Sequence, residues 1–211
     1  MKHSLRFVLC ALVWLAAALS SSAALQVRIT DTSPGGTNIT VTDQGPDDFN
    51  LSVGAVSYSG PIGANWLATL STGTSKPLLG SAAAPRVDLQ TFNVSSVSGG
   101  SLLIELTDTD FTGAGPASLT IGGTGNPAGV VNWKVFSANS NVEFAKTSLI
   151  SAIGPLGGIV FSVAQPALVT AAAPYSITFE LGIVHGAGGS TGLDAELIVN
   201  PPPVCPPDRN L

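Results

Sequence analysis

Strict alternation of apolar and polar residues is the feature that most constrains the fold of this chain. In the segment PYSITFELGIV, every second residue from Tyr175 to Ile183 is apolar, and Ser176, Thr178 and Glu180 stand between them. Side chains of a β-strand point alternately to the two faces of a sheet, so this period of two predicts a strand with one buried face. The same period recurs in Leu25/Val27/Ile29, Ile39/Val41, Trp66/Ala68/Leu70, Leu102/Ile104/Leu106, Val131/Trp133/Val135 and Ala195/Leu197/Val199.

Clusters of turn-forming residues separate these alternating segments. Gly, Pro, Asn and Asp accumulate in SPGG, GPDD, SGG, GAGP, GGTGNPAG and GAGGSTG, and no segment shows a long helical period. Many short strands at this spacing are typical of an all-β fold. We therefore predict an antiparallel two-sheet β-sandwich, jelly-roll-like, with about ten strands.

One segment breaks the alternation. In VDLQTFNV the apolar side chains change from odd positions, Val87 and Leu89, to even positions, Phe92 and Val94, across Thr91. An extra residue in one strand shifts the parity in this way. The sequence therefore predicts a β-bulge or a change of sheet at Thr91.

The first residues of the chain predict export. Lys2 and Arg6 precede an uncharged apolar run of 13 residues, and small residues follow the run as far as Ala24. This is the composition of a secretory signal peptide, and the run is shorter than the roughly 20 residues of a membrane-spanning helix. We predict a signal-peptide helix at residues 1–24, secretion without a stable membrane span after cleavage, a β-sandwich domain at 25–200 and a proline-rich tail at 201–211.

Charge and cysteine content narrow the range of partners. Removal of residues 1–24 takes away two of the eight basic residues and none of the thirteen acidic ones, which leaves a net charge of −7. Such an acidic chain is not expected to bind nucleic acid. Cys205 is the one cysteine left in the secreted sequence. Its alternatives are a disulfide-linked dimer and a free thiol in the tail.

The segment ELTDTDFTG raises the question of a metal site. Asp108 and Asp110 point the same way on an extended strand, and Asp43, Asp47 and Asp48 of DQGPDD are further carboxylates. Calcium takes about six to eight oxygen ligands, and the local sequence offers few of them. Aspartate also caps turns by accepting hydrogen bonds from backbone amides. We favour the turn interpretation, and we predict no metal ion and no other cofactor.

The segment HGAGGSTGLD matches a hydrolase pattern. Ser190 lies between Gly188 and Gly192 as in a nucleophile elbow, and His185 and Asp194 are close by in sequence. A nucleophile elbow joins a strand to a helix, whereas another alternating segment follows here. We predict a glycine-rich hairpin loop with no catalytic residue, and a secreted hydrolase is the third of three functional hypotheses.

Two other motifs have simple structural explanations. Gly122–Ala128, GGTGNPA, contains the glycine spacing of a phosphate-binding loop, but Pro127 and the strand after it deny this loop a helix amino terminus. We predict a turn. Asn38, Asn50 and Asn93 begin N-glycosylation triplets, which a surface rich in Asn, Ser and Thr generates by chance.

The aromatic residues bear on carbohydrate binding, because secreted sandwiches often present aromatic rings to sugars. Trp66, Trp133 and Tyr175 share their parity with aliphatic neighbours, which predicts that they belong to the core. Tyr58 and Phe136 are the exceptions. A glycan-binding module predicts that Tyr58, Phe136 or Trp66 lie exposed in one patch.

From Ser71 to Gly113 the sequence contains a series of short motifs: GTSKP at 73–77, GSAAAP at 80–85, a strand with Asp88, a Gly-Gly turn at 99–100 and TDTDFT at 107–112. This series resembles the amino-terminal domain of exported bacterial proteins of the PEP-CTERM group. The resemblance covers about residues 1–120, and it implies an exported bacterial β-sandwich. Members of the group end in Val-Pro-Glu-Pro, a membrane helix and a basic cluster, whereas this sequence reads VNPPPVCPPDRNL, so sorting to the surface by that route is not expected.

Composition, export signal and resemblance together favour a secreted, non-enzymatic β-sandwich protein of the cell surface or extracellular matrix, with a structural or adhesive role. Its expected partners are extracellular polysaccharide or other surface proteins. The alternative hypothesis is a glycan-binding module.

Overall fold

A computed structural model describes residues 25–200, which form two antiparallel β-sheets packed face to face. The predicted signal peptide at 1–24 and the predicted tail at 201–211, with Cys205, lie outside the described residues. None of residues 25–200 belongs to a helix with the length and apolar character that a membrane crossing requires.

Each sheet has six strands. Sheet 1 has the order β2-β1-β6-β11-β8-β9, and sheet 2 has the order β10-β7-β12-β5-β4-β3. The strands are β1 Gln26–Asp31, β2 Asn38–Thr42, β3 Ala55–Ile62, β4 Trp66–Thr74, β5 Arg86–Ser96, β6 Gly100–Phe111, β7 Gly115–Thr124, β8 Gly129–Ala138, β9 Ser148–Gly157, β10 Val160–Val169, β11 Tyr175–His185 and β12 Gly189–Val199. The predicted two-sheet sandwich is confirmed, although residues 25–200 contain twelve strands instead of about ten.

The core lies between the two sheets and is built from the alternating positions that the sequence shows. On β11 the side chains of Tyr175, Ile177, Phe179, Leu181 and Ile183 are all fully buried. Burial of these large side chains removes apolar surface from water, which is the main favourable term in folding. The alternation therefore predicts correctly which face of β11 packs inward.

Aromatic side chains fill the middle of this core. Trp133 and Phe179 come from neighbouring strands of sheet 1, and their rings pack edge to face with centroids 5.1 Å apart. Trp66 is only 2% exposed, and Trp133 and Tyr175 are fully buried, so the predicted core positions of these three residues are confirmed.

Thr91 forms a β-bulge within β5 and does not move the chain to the other sheet. Its φ angle is +50°, and the register with β12 shifts between Leu193 and Ala195, so that two residues of β5 lie opposite Asp194. The Thr91 amide donates a hydrogen bond to Asp194 Oδ1. The bulge explains the change of parity in the sequence and gives the outer surface of sheet 2 its local curvature.

Candidate functional site

Asp108 is fully buried and forms an ion pair between the two sheets. It lies on β6 of sheet 1, and Lys76, just after β4 of sheet 2, places its Nζ atom 2.9 Å from Asp108 Oδ2. The Ser75 hydroxyl donates to the same oxygen at 2.7 Å, and the Thr109 amide donates to Asp108 Oδ1 at 2.7 Å. Burial raises the pKa of the Asp108 carboxyl, and the Lys76 ammonium and the Ser75 hydroxyl partly offset that rise.

This ion pair joins two of the motifs that carry the resemblance to the PEP-CTERM group. Ser75 and Lys76 belong to GTSKP, and Asp108 belongs to TDTDFT. From the sequence alone, Asp108 is a candidate metal ligand or turn cap, and nothing in it indicates Lys76 as a partner. The contact gives both motifs one structural role, which is to supply a buried ion pair that connects the two sheets.

Asp110 stabilises a contact with the segment between β8 and β9. Its φ angle is +60°, its backbone amide donates to Asn141 Oδ1 at 2.7 Å, and Asn141 Nδ2 donates to Asp110 Oδ1 at 2.6 Å. The carboxylates of DQGPDD also bind nearby amides: Gly54 donates to Asp43, and Ser57 donates to Asp48. Within residues 25–200, no three acidic, histidine or cysteine side chains lie close enough to hold a metal ion together.

His185 lies in the core, apart from the arrangement that a hydrolase requires. Its Nδ1 atom is 2.7 Å from the Ser96 hydroxyl and its Nε2 atom is 2.9 Å from the Thr191 hydroxyl, so both ring nitrogens are engaged. Burial lowers the pKa of His185, which favours the neutral imidazole. Ser190 is exposed on β12, and the Asp194 carboxylate accepts a hydrogen bond from the Thr91 amide. The nucleophile pattern of the sequence is thus not assembled into a catalytic triad.

The three aromatic side chains whose exposure in one patch would favour a glycan-binding module do not lie together. Trp66 is buried, Tyr58 is on β3 of sheet 2, and Phe136 is on β8 of sheet 1. The Tyr58 hydroxyl donates to the Pro61 carbonyl at 3.0 Å. Residues 25–200 therefore lack the exposed aromatic patch that the glycan-binding alternative predicts from the sequence.

The outer face of sheet 1 is occupied by its own side chains and by residues 139–147. Arg28, Glu105, Glu180 and Lys134 stand in one row across four strands, and Lys146 binds both glutamates, at 2.7 Å and 2.5 Å. Glu180 is partly buried, but the Lys146 and Lys134 ammonium groups hold its pKa below the usual range. Opposite charges in this row compensate one another.

The segment 139–147 covers part of that row. The Phe144 amide donates to the Thr107 hydroxyl at 3.2 Å, and the Arg28 guanidinium lies 4.0 Å from the centroid of the Phe144 ring. Thr107 and Thr178 on the sheet beneath are fully buried as a result. The outer face of sheet 1 is therefore a closed surface over this region.

The outer face of sheet 2 instead carries an open groove, which we call the outer groove. It crosses β10, β7, β12 and β5, has a volume of about 450 Å³, and is lined by outward-facing residues that include Asp88, Gln90, Thr91, Thr120, Asp194 and Glu196. A second depression of about 250 Å³ lies on the same face and is lined by residues that include Thr69, Asn93, Ser95, Thr124 and Ser190. Carboxylates, amides and hydroxyls thus dominate this surface.

Internal contacts hold the polar groups of the outer groove in place. Gln90 Nε2 donates to Asp88 Oδ2 at 2.8 Å, Asp194 accepts the Thr91 amide of the bulge, and Glu196 forms an ion pair with Arg86. Burial raises the pKa of Asp88, Gln90 partly offsets this rise, and the charge of Glu196 adds to it. The groove therefore presents a fixed set of hydrogen-bonding groups on paired strands.

Gly122 provides part of the open space. A methyl group added at this position would make ordinary contacts, with the Phe161 carbonyl oxygen at 3.7 Å and Ser162 Oγ at 3.8 Å. A Cβ atom at residue 122 therefore fits at the lining of the groove without requiring the backbone to move.

The outer groove is not predicted from the sequence, although the outward-facing polar positions that line it can be recognised there. The polar positions of VDLQTFNV and of the last alternating segment supply Asp88, Gln90, Asp194 and Glu196. Their parity predicts that they face outward, but only the pairing of β5 with β12 and of β12 with β7 brings them together.

Comparison with known proteins provides structural likenesses of low similarity. No family model matches the chain, and no curated protein matches it. Among solved structures, TmCBM61, in complex with β-1,4-galactotriose, is similar at 11% identity and a TM-score of 0.40, over 65% of this chain and 90% of that one. The K1 cleaved adhesin domain of Lys-gingipain from Porphyromonas gingivalis W83 is similar at 13% identity and a TM-score of 0.35, over 71% and 99%.

A third likeness is to the family 11 carbohydrate-binding module from Clostridium thermocellum, in complex with a β-1,3-1,4-mixed-linked tetrasaccharide. It has 13% identity and a TM-score of 0.33, over 85% of this chain and 98% of that one. At these TM-scores the likenesses carry no argument about function.

Proposed function

We propose that this chain is a secreted, non-enzymatic binding protein and that the outer groove of sheet 2 binds extracellular polysaccharide. The observation that carries the proposal is the open polar groove across four strands, lined by side chains such as Asp88, Gln90 and Thr120. This proposal gives the glycan-binding alternative precedence over a purely structural role. Polysaccharide binding would also provide an adhesive function at a cell surface or in a matrix.

The size and chemistry of the groove support a sugar chain as its ligand. Its volume of about 450 Å³ is within the usual range for small-molecule sites. Sugar hydroxyls both donate and accept hydrogen bonds, and carboxylate, amide and hydroxyl side chains complement them in both senses. The groove runs across the strands on an open face, so a polymer could enter it and continue beyond it at either end.

The rigidity of the lining supports binding without an aromatic platform. The outward side chains stand on β5, β7 and β12, each of which is paired along both edges. Groups fixed before binding lose little conformational entropy when a ligand arrives. Hydrogen bonds from a preorganised surface can therefore replace part of the contact area that aromatic rings would supply.

Binding to a panel of soluble polysaccharides, measured by affinity electrophoresis, tests the proposal. Gly122→Ile places a branched side chain in the groove at a position where a β-branched residue suits the strand. Gly182→Ile is the matched control, because Gly182 lies on the opposite sheet and an added Cβ there meets nothing within 4 Å. Both variants are first checked for an unchanged melting temperature.

The expected result is retardation of the wild type and Gly182→Ile by at least one polysaccharide, with the retardation lost in Gly122→Ile. Equal retardation of all three proteins would show that the groove is not the binding surface. No retardation of the wild type by any polysaccharide in a panel of neutral, acidic and amino polymers would refute the proposed function.

A further inference from the structure

The distribution of charge over the two sheets gives the outer groove a distinct chemical character. Residues 25–200 contain five lysine and arginine residues: Arg28, Lys134 and Lys146 are on the outer side of sheet 1, Lys76 is buried between the sheets, and Arg86 is at one end of the groove. The groove lining contains Asp88, Asp194 and Glu196 but no basic residue. One sheet thus balances its charges, whereas the other presents excess carboxylate.

The carboxylates of the groove are incompletely neutralised within the protein. Arg86 is paired with Glu196, and the Gln90 amide that contacts Asp88 carries no charge. Asp194 is exposed, and it accepts a hydrogen bond from the backbone amide of Thr91 in the bulge. Burial and the charges of Glu196 and Asp194 raise the pKa of Asp88, and the Gln90 hydrogen bond and the charge of Arg86 offset this rise only in part.

We propose, on the basis of the proposed function, that the outer groove selects polysaccharides with protonated amino groups. These are deacetylated hexosamine polymers, which we expect to bind in preference to neutral and uronic-acid polymers. Arg86 pairs directly with Glu196, so an ammonium group on the sugar ring would be the direct ionic partner of Asp88 and Asp194 and would donate charge-assisted hydrogen bonds to them. An acetylated amine carries no charge, and a uronic acid would place a further carboxylate against the carboxylates of the groove.

A matched pair of ligands separates charge from sugar shape. A short glucosamine oligomer and its fully N-acetylated counterpart share their backbone and linkage and differ at the amine. We expect the deacetylated oligomer to bind about tenfold more tightly or better in isothermal titration calorimetry, since hydrogen bonds to charged groups contribute that much. The preference should decrease as salt is added, because part of the attraction is screened.

Variants at single carboxylates locate the origin of the preference. Asp88→Asn keeps the shape of a buried side chain and removes its charge, and we expect it to lose most of the preference for the deacetylated over the acetylated oligomer. Asp47→Asn is the control, because it removes the same charge from an exposed turn far along the chain. The control also accounts for general attraction between a cationic oligomer and an acidic protein, since both variants change the net charge equally.

The outcomes distinguish the two proposals. Tighter binding of the deacetylated oligomer, reduced by Asp88→Asn and abolished by Gly122→Ile, supports the selection. Equal or tighter binding of the acetylated oligomer, or strongest binding of a polyuronate, overturns the selection and leaves the proposed function standing. A preference unchanged in both Asp88→Asn and Gly122→Ile overturns the selection as well, because the charge effect then arises outside the groove. Absence of binding by any polymer refutes both.

Discussion

Removal of the Asp108 carboxylate tests the ion pair between the sheets. In Asp108→Ala the Lys76 ammonium stays enclosed next to the Thr109 carbonyl, at 2.5 Å, and the Phe111 ring, at 4.6 Å, with no carboxylate to balance it. The side chain of Lys76 is only 10% exposed, so water replaces the lost partner poorly. We therefore expect a large loss of stability from a single small substitution.

The structure sets the size of this loss. Breaking a buried pair by removing one partner costs about 3–5 kcal/mol, and the slight exposure of Lys76 places the expected value near the lower figure. For a domain of this size, about 3 kcal/mol corresponds to a fall in melting temperature of roughly 6–12 °C. Lys76→Met should cost less, because the pKa of Asp108 is already raised by burial and the carboxyl can take up a proton.

A double variant separates the cost of an uncompensated charge from a general loss of packing. Lys76→Met combined with Asp108→Leu removes both charges and keeps apolar volume, and we expect stability within about 1 kcal/mol of the wild type. Urea unfolding followed by circular dichroism measures all three variants. A loss below about 1 kcal/mol in Asp108→Ala, or a loss in the double variant as large as that in Asp108→Ala, would refute the reasoning.

Three further predictions follow from individual residues. Millimolar calcium or a chelator should leave the melting temperature unchanged, because Asp108 and Asp110 already bind protein donors; a rise with calcium that is lost in Asp108→Ala would contradict this. Burial lowers the pKa of His185, so the unfolded chain takes up the proton first. Stability should therefore fall as the pH decreases through the ordinary histidine pKa of about 6.5, and His185→Gln should lessen that fall in thermal melts. Thr91→Gly should raise the free energy of unfolding by about 1 kcal/mol, because Thr91 has a left-handed φ angle; a decrease would argue against the bulge.

Most strands that the alternation identifies are paired along both edges and buried on one face, and β2 is the one edge strand among them. β11 is the clearest case, since its five inward side chains are fully buried while Glu180 faces outward. The edge strands β3, β9 and β10 give a weaker pattern, because proline interrupts each of them and many of their side chains are exposed. Proline on an edge strand removes a donor that would otherwise invite pairing with another chain. This accounts for the difference between about ten predicted strands and the twelve observed.

The chemistry of single residues depended on contacts that are distant in sequence. Asp108 was singled out from its neighbours, but its partner Lys76 is 32 residues away on the other sheet. His185 was considered together with Ser190, whereas its ring binds Ser96, 89 residues away. The outer groove likewise requires β5 and β12 to pair. Local patterns specify which face a side chain occupies, and the strand order specifies its neighbours.

Mapping of the bound polysaccharide onto the two sheets by NMR tests the central claim most directly. Titration of a soluble oligosaccharide into ¹⁵N-labelled protein should shift the amide resonances of residues 88–91, 120–122 and 194–196, which line the outer groove. Resonances of residues 103–105 and 180–182, on sheet 1, should stay in place. Shifts concentrated on sheet 1, with the groove amides unchanged, would contradict the assignment of the outer groove as the polysaccharide-binding surface.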